Sequence, residues 1–151
     1  MAVLSYILRP SLILLMAVFV FAANPGRADS PSDVVRLETL DLSAVNQAWG
    51  FPRAGKSVEN RPRRIGGVEF EHGLGTHANG ELIIDLNGCA QEFVSSVGVD
   101  DEADGNGTVK FIIYVDGKKK ADSGVMRGGE KPKTLEVDLK GAKRMTLVVT
   151  D

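Results

Sequence analysis

Four segments of this chain alternate apolar and polar residues with a period of two. Phe93, Ser95, Val97 and Val99 fall on one side of the first, and Val109, Phe111, Ile113 and Val115 on one side of the second. Leu135, Val137 and Leu139, then Met145, Leu147 and Val149, repeat the pattern. A helix turns every 3.6 residues and cannot gather such positions on one face, whereas a pleated strand does so automatically. Each segment is therefore a strand with one buried and one wet face, the pattern of an antiparallel sheet. Turn dipeptides separate the runs: Asn79-Gly80, Asn87-Gly88 and Asp116-Gly117. Asp-Gly between two such runs is a strong hairpin signal, because its residues tolerate the left-handed turn conformation. After residue 28 no long 3.6-period segment and no repeat of 20–50 residues occurs. The pattern predicts an all-β protein, an antiparallel jelly-roll β-sandwich. Residues 34–42, with Val35, Leu37, Leu40 and Leu42, are expected to form a strand or part of one. Residues 43–50 are expected as a short helical turn, and residues 51–64, with Pro52, Gly55 and Pro62, as a long surface loop.

The first 28 residues have a different character. Arg9 gives a weakly positive start, Leu12 to Ala23 is an unbroken apolar run, and Gly26-Arg27-Ala28 offers a cleavage site before Asp29. This is the layout of a secretory signal peptide. The run is short for a membrane span, which needs about 20 residues. The expected address is secreted or periplasmic, with no membrane association after cleavage. Loss of residues 1–28 removes Arg9 and Arg27 and no acid, taking the formal charge from −2 to −4. A mildly acidic chain without a basic block is a poor ligand for nucleic acid, whose binding depends on phosphate neutralisation. The single cysteine, Cys89, excludes an internal disulfide and reads as a turn residue.

The polar chemistry concentrates between Arg64 and Asp104. Glycines at 66, 67, 73, 75 and 80 surround His72 and His77, and Asp100, Asp101, Glu102 and Asp104 follow within five residues. Two histidines five apart share no face of a strand or helix, and no third His or Cys completes a zinc site. His77 is the candidate ligand contact, against a simple hydrogen bond to turn backbone. The acidic turn ahead of Gly105-Asn106-Gly107 resembles a loop that supplies oxygen to calcium, without the spacing of an EF-hand; a solvated acidic turn is the alternative. Paired carboxylates also suit a glycosidase, but a small sandwich offers little cleft to place them across a scissile bond, and no Ser/His/acid signature is present. Trp49 is the one tryptophan. Its size favours the core, with stacking on a sugar ring as the other role. Arg127 lies in a Gly-rich loop and is the remaining candidate.

Trp49-Gly50, Ile65-Gly66-Gly67, Gly73-Leu74-Gly75-Thr76-His77-Ala78, Phe93 to Asp101, Val115-Asp116-Gly117, Ser123 to Met126 and Leu147 to Asp151 occur in the order of one family. The chain resembles the NPCBM/NEW2 domain, a carbohydrate-binding module attached to bacterial family 98 glycosyl hydrolases and alpha-galactosidases, over residues 34–151. The resemblance implies a galactose-binding-like jelly roll, often with a structural calcium, that binds galactose-type or related glycans without cleaving them. Family members continue past the position of Asp151 into a last segment with Asp, His and Trp. The sandwich is accordingly expected to lack its last strand, with a partner chain completing it or with the chain a truncated fragment of a larger glycosidase. Local chemistry assigns ligand binding to Trp49, His77, Asp100, Asp101, Glu102 and Arg127, in a non-catalytic module. A protein-interaction or assembly module that pairs its open edge with another chain is the rival from a different class.

Overall fold

The computed structural model describes residues 2–10 and 34–151. Its strands are β1 (Ala2–Pro10), β2 (Asn46–Gln47), β3 (Arg53–Ala54), β4 (Arg63–Ile65), β5 (Val68–Phe70), β6 (Leu74–Thr76), β7 (Gly80–Asp85), β8 (Ala90–Val99), β9 (Thr108–Val115), β10 (Lys118–Arg127), β11 (Lys133–Asp138) and β12 (Arg144–Thr150). Two five-stranded sheets have the orders β11-β8-β1-β6-β3 and β10-β9-β12-β7-β2, and β4 and β5 form a separate two-stranded ribbon. Every strand pairing is antiparallel.

The alternation has the predicted consequence. Phe93, Val97, Val99, Leu135 and Val137 of the first sheet are buried in one core with Val109, Phe111, Ile113, Val115, Met145, Leu147 and Val149 of the second. The register sets Met145 beside Val115, Leu147 beside Ile113 and Val149 beside Phe111. Such cross-strand apolar pairs each contribute roughly 0.2–1 kcal/mol. The hairpin between β9 and β10 turns at Asp116 and Gly117, both with positive φ (48° and 76°), the backbone of a tight turn whose twist matches its strands.

Three expectations need correction. Residues 34–42 are not a strand: Leu37–Thr39 is a 3₁₀ turn whose Leu37 is fully buried. The turn expected in residues 43–50 is shifted to Leu42–Ala44, where the Asp41 side chain accepts a bond from the Ser43 N–H, and β2 follows it. Residues 51–64 are more than a surface loop. Arg53 and Ala54 pair with Gly75 and Leu74, and Arg63 has no exposed surface. The proposed cleavage site and apolar run of the signal peptide lie outside the described residues, but Ala2–Pro10 forms β1, paired with β8 on one side and β6 on the other. Among the described residues no helix is long and apolar enough to cross a membrane.

Candidate binding site

β1 is antiparallel to both its neighbours, so β6 and β8 run in the same direction. Ala2 is the partner of Thr76 in β6 and of Val99 in β8. The residues that follow, His77 and Asp100, therefore emerge at one end of the sandwich, two strand spacings or roughly 10 Å apart. The second sheet brings its own termini to this end. Val149 of β12 lies beside Gly80 at the start of β7, Thr150 beside Lys110, and Arg127 beside Thr108.

His77 and Trp49 form the first half of this rim. Their rings stack with centroids 3.6 Å apart and planes inclined at 29°. Trp49 is 62% exposed and His77 only 9%, so the imidazole backs an indole whose remaining surface faces water. This reverses the expectation that Trp49 is core. A chain of hydrogen bonds holds it there: the Thr76 hydroxyl donates to Gln47 Oε1 (2.7 Å), and Gln47 Nε2 donates to the Trp49 carbonyl (2.8 Å). Gly50, at φ 71°, lets the chain pass the imidazole, where a Cβ would lie 3.3 Å from His77 Cδ2. Burial pushes the His77 pKa down, so at neutral pH the ring is uncharged, with one donor and one acceptor nitrogen. Asn79 donates to Asp151 Oδ1 (2.8 Å) and accepts from the Asp151 N–H (3.3 Å). Gln47, Asn79, Gly80, Glu81 and Thr150 line a cleft of about 310 Å³ with their neighbours. Gln47 and Asn79 escaped the sequence analysis because Asn79-Gly80 reads simply as a turn and Gln47 belongs to no motif.

The acidic turn forms the second half, and its carboxylates have protein partners. Asp101 accepts from the Gly66 and Gly67 N–H groups, both at 2.8 Å, and so ties the β4–β5 ribbon to the end of β8. Asp100 is buried and accepts from the Glu102 N–H (3.0 Å). Burial raises its pKa against the opposing effect of that bond. Glu102 accepts from the Ser57 hydroxyl (2.9 Å). The second oxygens of Asp100 and Glu102 are buried without a partner, and the turn borders a cleft of about 230 Å³ with Arg61, Pro62 and Arg64. Calcium takes six to eight oxygens. The turn offers two spare carboxylate oxygens toward that number, and among the described residues no group of three or more His, Cys, Asp or Glu is arranged around one point. The Lys56–Ser57 segment lies between the halves, packed directly over Gly75.

Arg127 does not join either half. It is exposed at the end of β10, three strand positions from β7 and so roughly 14 Å across the sheet. His72 is held by Glu38 at 3.0 Å, and Cys89 is an exposed free thiol in its turn. Sequence reasoning also missed Arg63. Its Nη2 donates to the Phe70 carbonyl (3.0 Å), and burial lowers its pKa against the attraction of Glu38 and Asp100. No periodicity marks an arginine inside a Pro-flanked segment as buried.

Two antiparallel sheets with a ring-bearing loop rim at one end make up the fold of a carbohydrate-binding module. The chain belongs to the NPCBM/NEW2 domain family, which it matches over residues 33–151. It is 30% identical over 112 residues to alpha-1,3-galactosidase B of Akkermansia muciniphila; the match covers 73% of this chain but 14% of that protein. Among solved structures it is similar to CBM51 from Clostridium perfringens GH95 in complex with methyl-galactose, at 31% identity and a TM-score of 0.71, covering 78% of this chain and 86% of that one. It is also similar to CBM51-2 in complex with GlcNAc, with INT domains, from Clostridium perfringens ZmpB, at 30% identity and a TM-score of 0.70, covering 76% of this chain and 26% of that one.

Proposed function

We propose that this protein is an exported, non-catalytic sugar-binding module that recognises a terminal galactose-type residue at the His77–Trp49 half of its rim. The observation that carries the reading is an exposed indole fixed by a buried, neutral imidazole. The apolar face of a pyranose packs on such a ring, and a ring already held in place loses little freedom on binding. The neutral imidazole and the amides of Gln47 and Asn79 supply hydrogen bonds to hydroxyls, the few oriented polar groups expected of a small-ligand site. The similarity to a domain solved with methyl-galactose supports the sugar class. The Asp100–Glu102 turn serves chiefly as scaffold, since its partners are already protein groups. The layout of residues 1–28 supports export. Galactosidase activity belongs to the much longer relative and is not carried to this chain.

Isothermal titration of the full chain with methyl-galactose, GlcNAc and glucose tests this. Saturable binding of methyl-galactose, lost in Trp49→Ala, is the expected result. No heat with any sugar, from a chain that unfolds cooperatively, overturns it.

A further inference from the structure

The His77–Trp49 half of the rim carries a second exposed ring. We propose that Phe51 forms a second sugar subsite beside Trp49, so that the ligand is at least a disaccharide. The terminal galactose-type residue lies on the indole and the next sugar on the phenyl face. This rests on the sugar reading of the Trp49 site and extends it from one residue to a glycan.

Residues 48–52 form a short bridge from the β2 edge of one sheet to the β3 edge of the other. At one end Gln47 pairs with Gly80 in β7, and the Ala48 N–H donates to the Asn79 carbonyl (2.9 Å). At the other end Arg53 pairs with Gly75 in β6, and the Gly55 N–H donates to the Gly73 carbonyl (2.9 Å). The bridge therefore lies across the turn that joins β6 to β7, the turn that carries His77 and Asn79. Tying both ends of so short a segment limits where its middle residues can go. In that middle, only Gly50 separates Trp49 from Phe51.

Trp49 is 62% exposed and Phe51 79%, and among the described residues no large apolar side chain is more exposed than Phe51. A phenyl ring left in water forgoes the gain of burial. One exposed apolar residue is ordinary, but two neighbouring rings beside a polar cleft mark an interaction site. Two aromatic side chains cover at most about 500 Å², short of the roughly 800 Å² per partner of a standard protein interface. The patch has the scale of a small ligand. Two residues of chain reach at most about 7 Å, close to the length of one sugar residue, so a glycan whose end lies on the indole brings its second residue to Phe51. The phenyl ring has neither donor nor acceptor. It takes the apolar face of a pyranose without selecting among its hydroxyls. The second sugar is read by shape and linkage, while the imidazole, Gln47 and Asn79 read the first.

Isothermal titration of the full chain with methyl-galactose, lactose, N-acetyllactosamine and galactobiose tests this. The expected result is that at least one disaccharide binds at least fivefold more tightly than methyl-galactose. Phe51→Ala should remove that gain and leave methyl-galactose affinity within twofold. Phe51→Tyr, which keeps the ring, should retain the gain, and Phe51→Leu, which has no flat face, should lose most of it. If methyl-galactose binds the native chain and no disaccharide binds more tightly, this inference fails and the Trp49 reading stands. If no sugar binds a cooperatively unfolding chain, both fail. A gain that survives Phe51→Ala also overturns the inference, because the second sugar would then lie elsewhere. The urea midpoint separates a lost subsite from a damaged fold. Phe51→Ala should leave it nearly unchanged, since the ring is mostly in water. A fall of about 1 M or more would show a ring packed under polypeptide, and would overturn the subsite.

Discussion

The indole of Trp49 lies on the imidazole of His77, centroid to centroid at 3.6 Å. Since Trp49 is mostly exposed, its removal strips little from the core. Trp49→Ala is expected to leave the urea midpoint nearly unchanged while weakening methyl-galactose binding about 30-fold, the ~2 kcal/mol typical of an aromatic hot spot. Paired titration and unfolding curves check both halves of that statement.

The same pair predicts a pH dependence. Burial holds the His77 pKa below the ordinary 6.5, so the unfolded chain takes up the proton first. Acid therefore favours unfolding, and stability present above about pH 6.5 declines as pH falls through the folded pKa. Melting curves from pH 7.5 to 5 should show a steeper acid-side loss for the native chain than for His77→Gln. Parallel curves would show that another group controls the slope.

Gly75 admits no side chain. A Cβ there would stand 2.4 Å from the Lys56 carbonyl oxygen and 3.0 Å from the Ser57 carbonyl carbon, both backbone atoms. Gly75→Ala should cost about 1–3 kcal/mol, the usual range for overpacking, and push the Lys56–Ser57 segment away from Glu102. Denaturant titration gives the first quantity. Faster exchange of the Ser57 amide, now bonded to the Arg61 carbonyl at 2.9 Å, reports the second.

Asp101 separates the two halves of the rim experimentally. Asp101→Ala removes two bonds of 2.8 Å to Gly66 and Gly67, each from a charged acceptor. The loss should be about 2 kcal/mol, with methyl-galactose affinity unchanged within twofold. A tenfold fall in affinity in a folded variant would move the acidic turn into the binding site.

Much of the fold was legible because its signals are local. Alternation assigned Val109 to Val115 and Met145 to Val149 to buried faces, and Asp116-Gly117 marked its hairpin, before any tertiary contact was known. The features that were not legible depend on distant partners. Arg63 is tolerated inside only because Glu38, Asp100 and the Phe70 carbonyl lie around it, and no spacing rule connects those four. Trp49 is outside because His77, 28 positions later, provides a surface for one of its faces. In sequence the acidic turn reads as an oxygen-rich loop for a cation or as a solvated turn. Its main chemistry, accepting main-chain N–H groups from the β4–β5 turn 34 and 35 residues upstream, is invisible in a list of carboxylates. The position of Ala2–Pro10 is hidden for another reason: a composition that suits a leader also suits a strand.

Because β6 and β8 point the same way with a single strand between them, the width of the binding end is not set by the loops that decorate it. It is set by a spacer. In this structure the spacer is Ala2–Pro10, which pairs with β6 and β8 and holds His77 and the Asp100 turn roughly 10 Å apart. The distance between the two halves of the rim is thus a matter of main-chain pairing within the sheet rather than of the side chains that face outward.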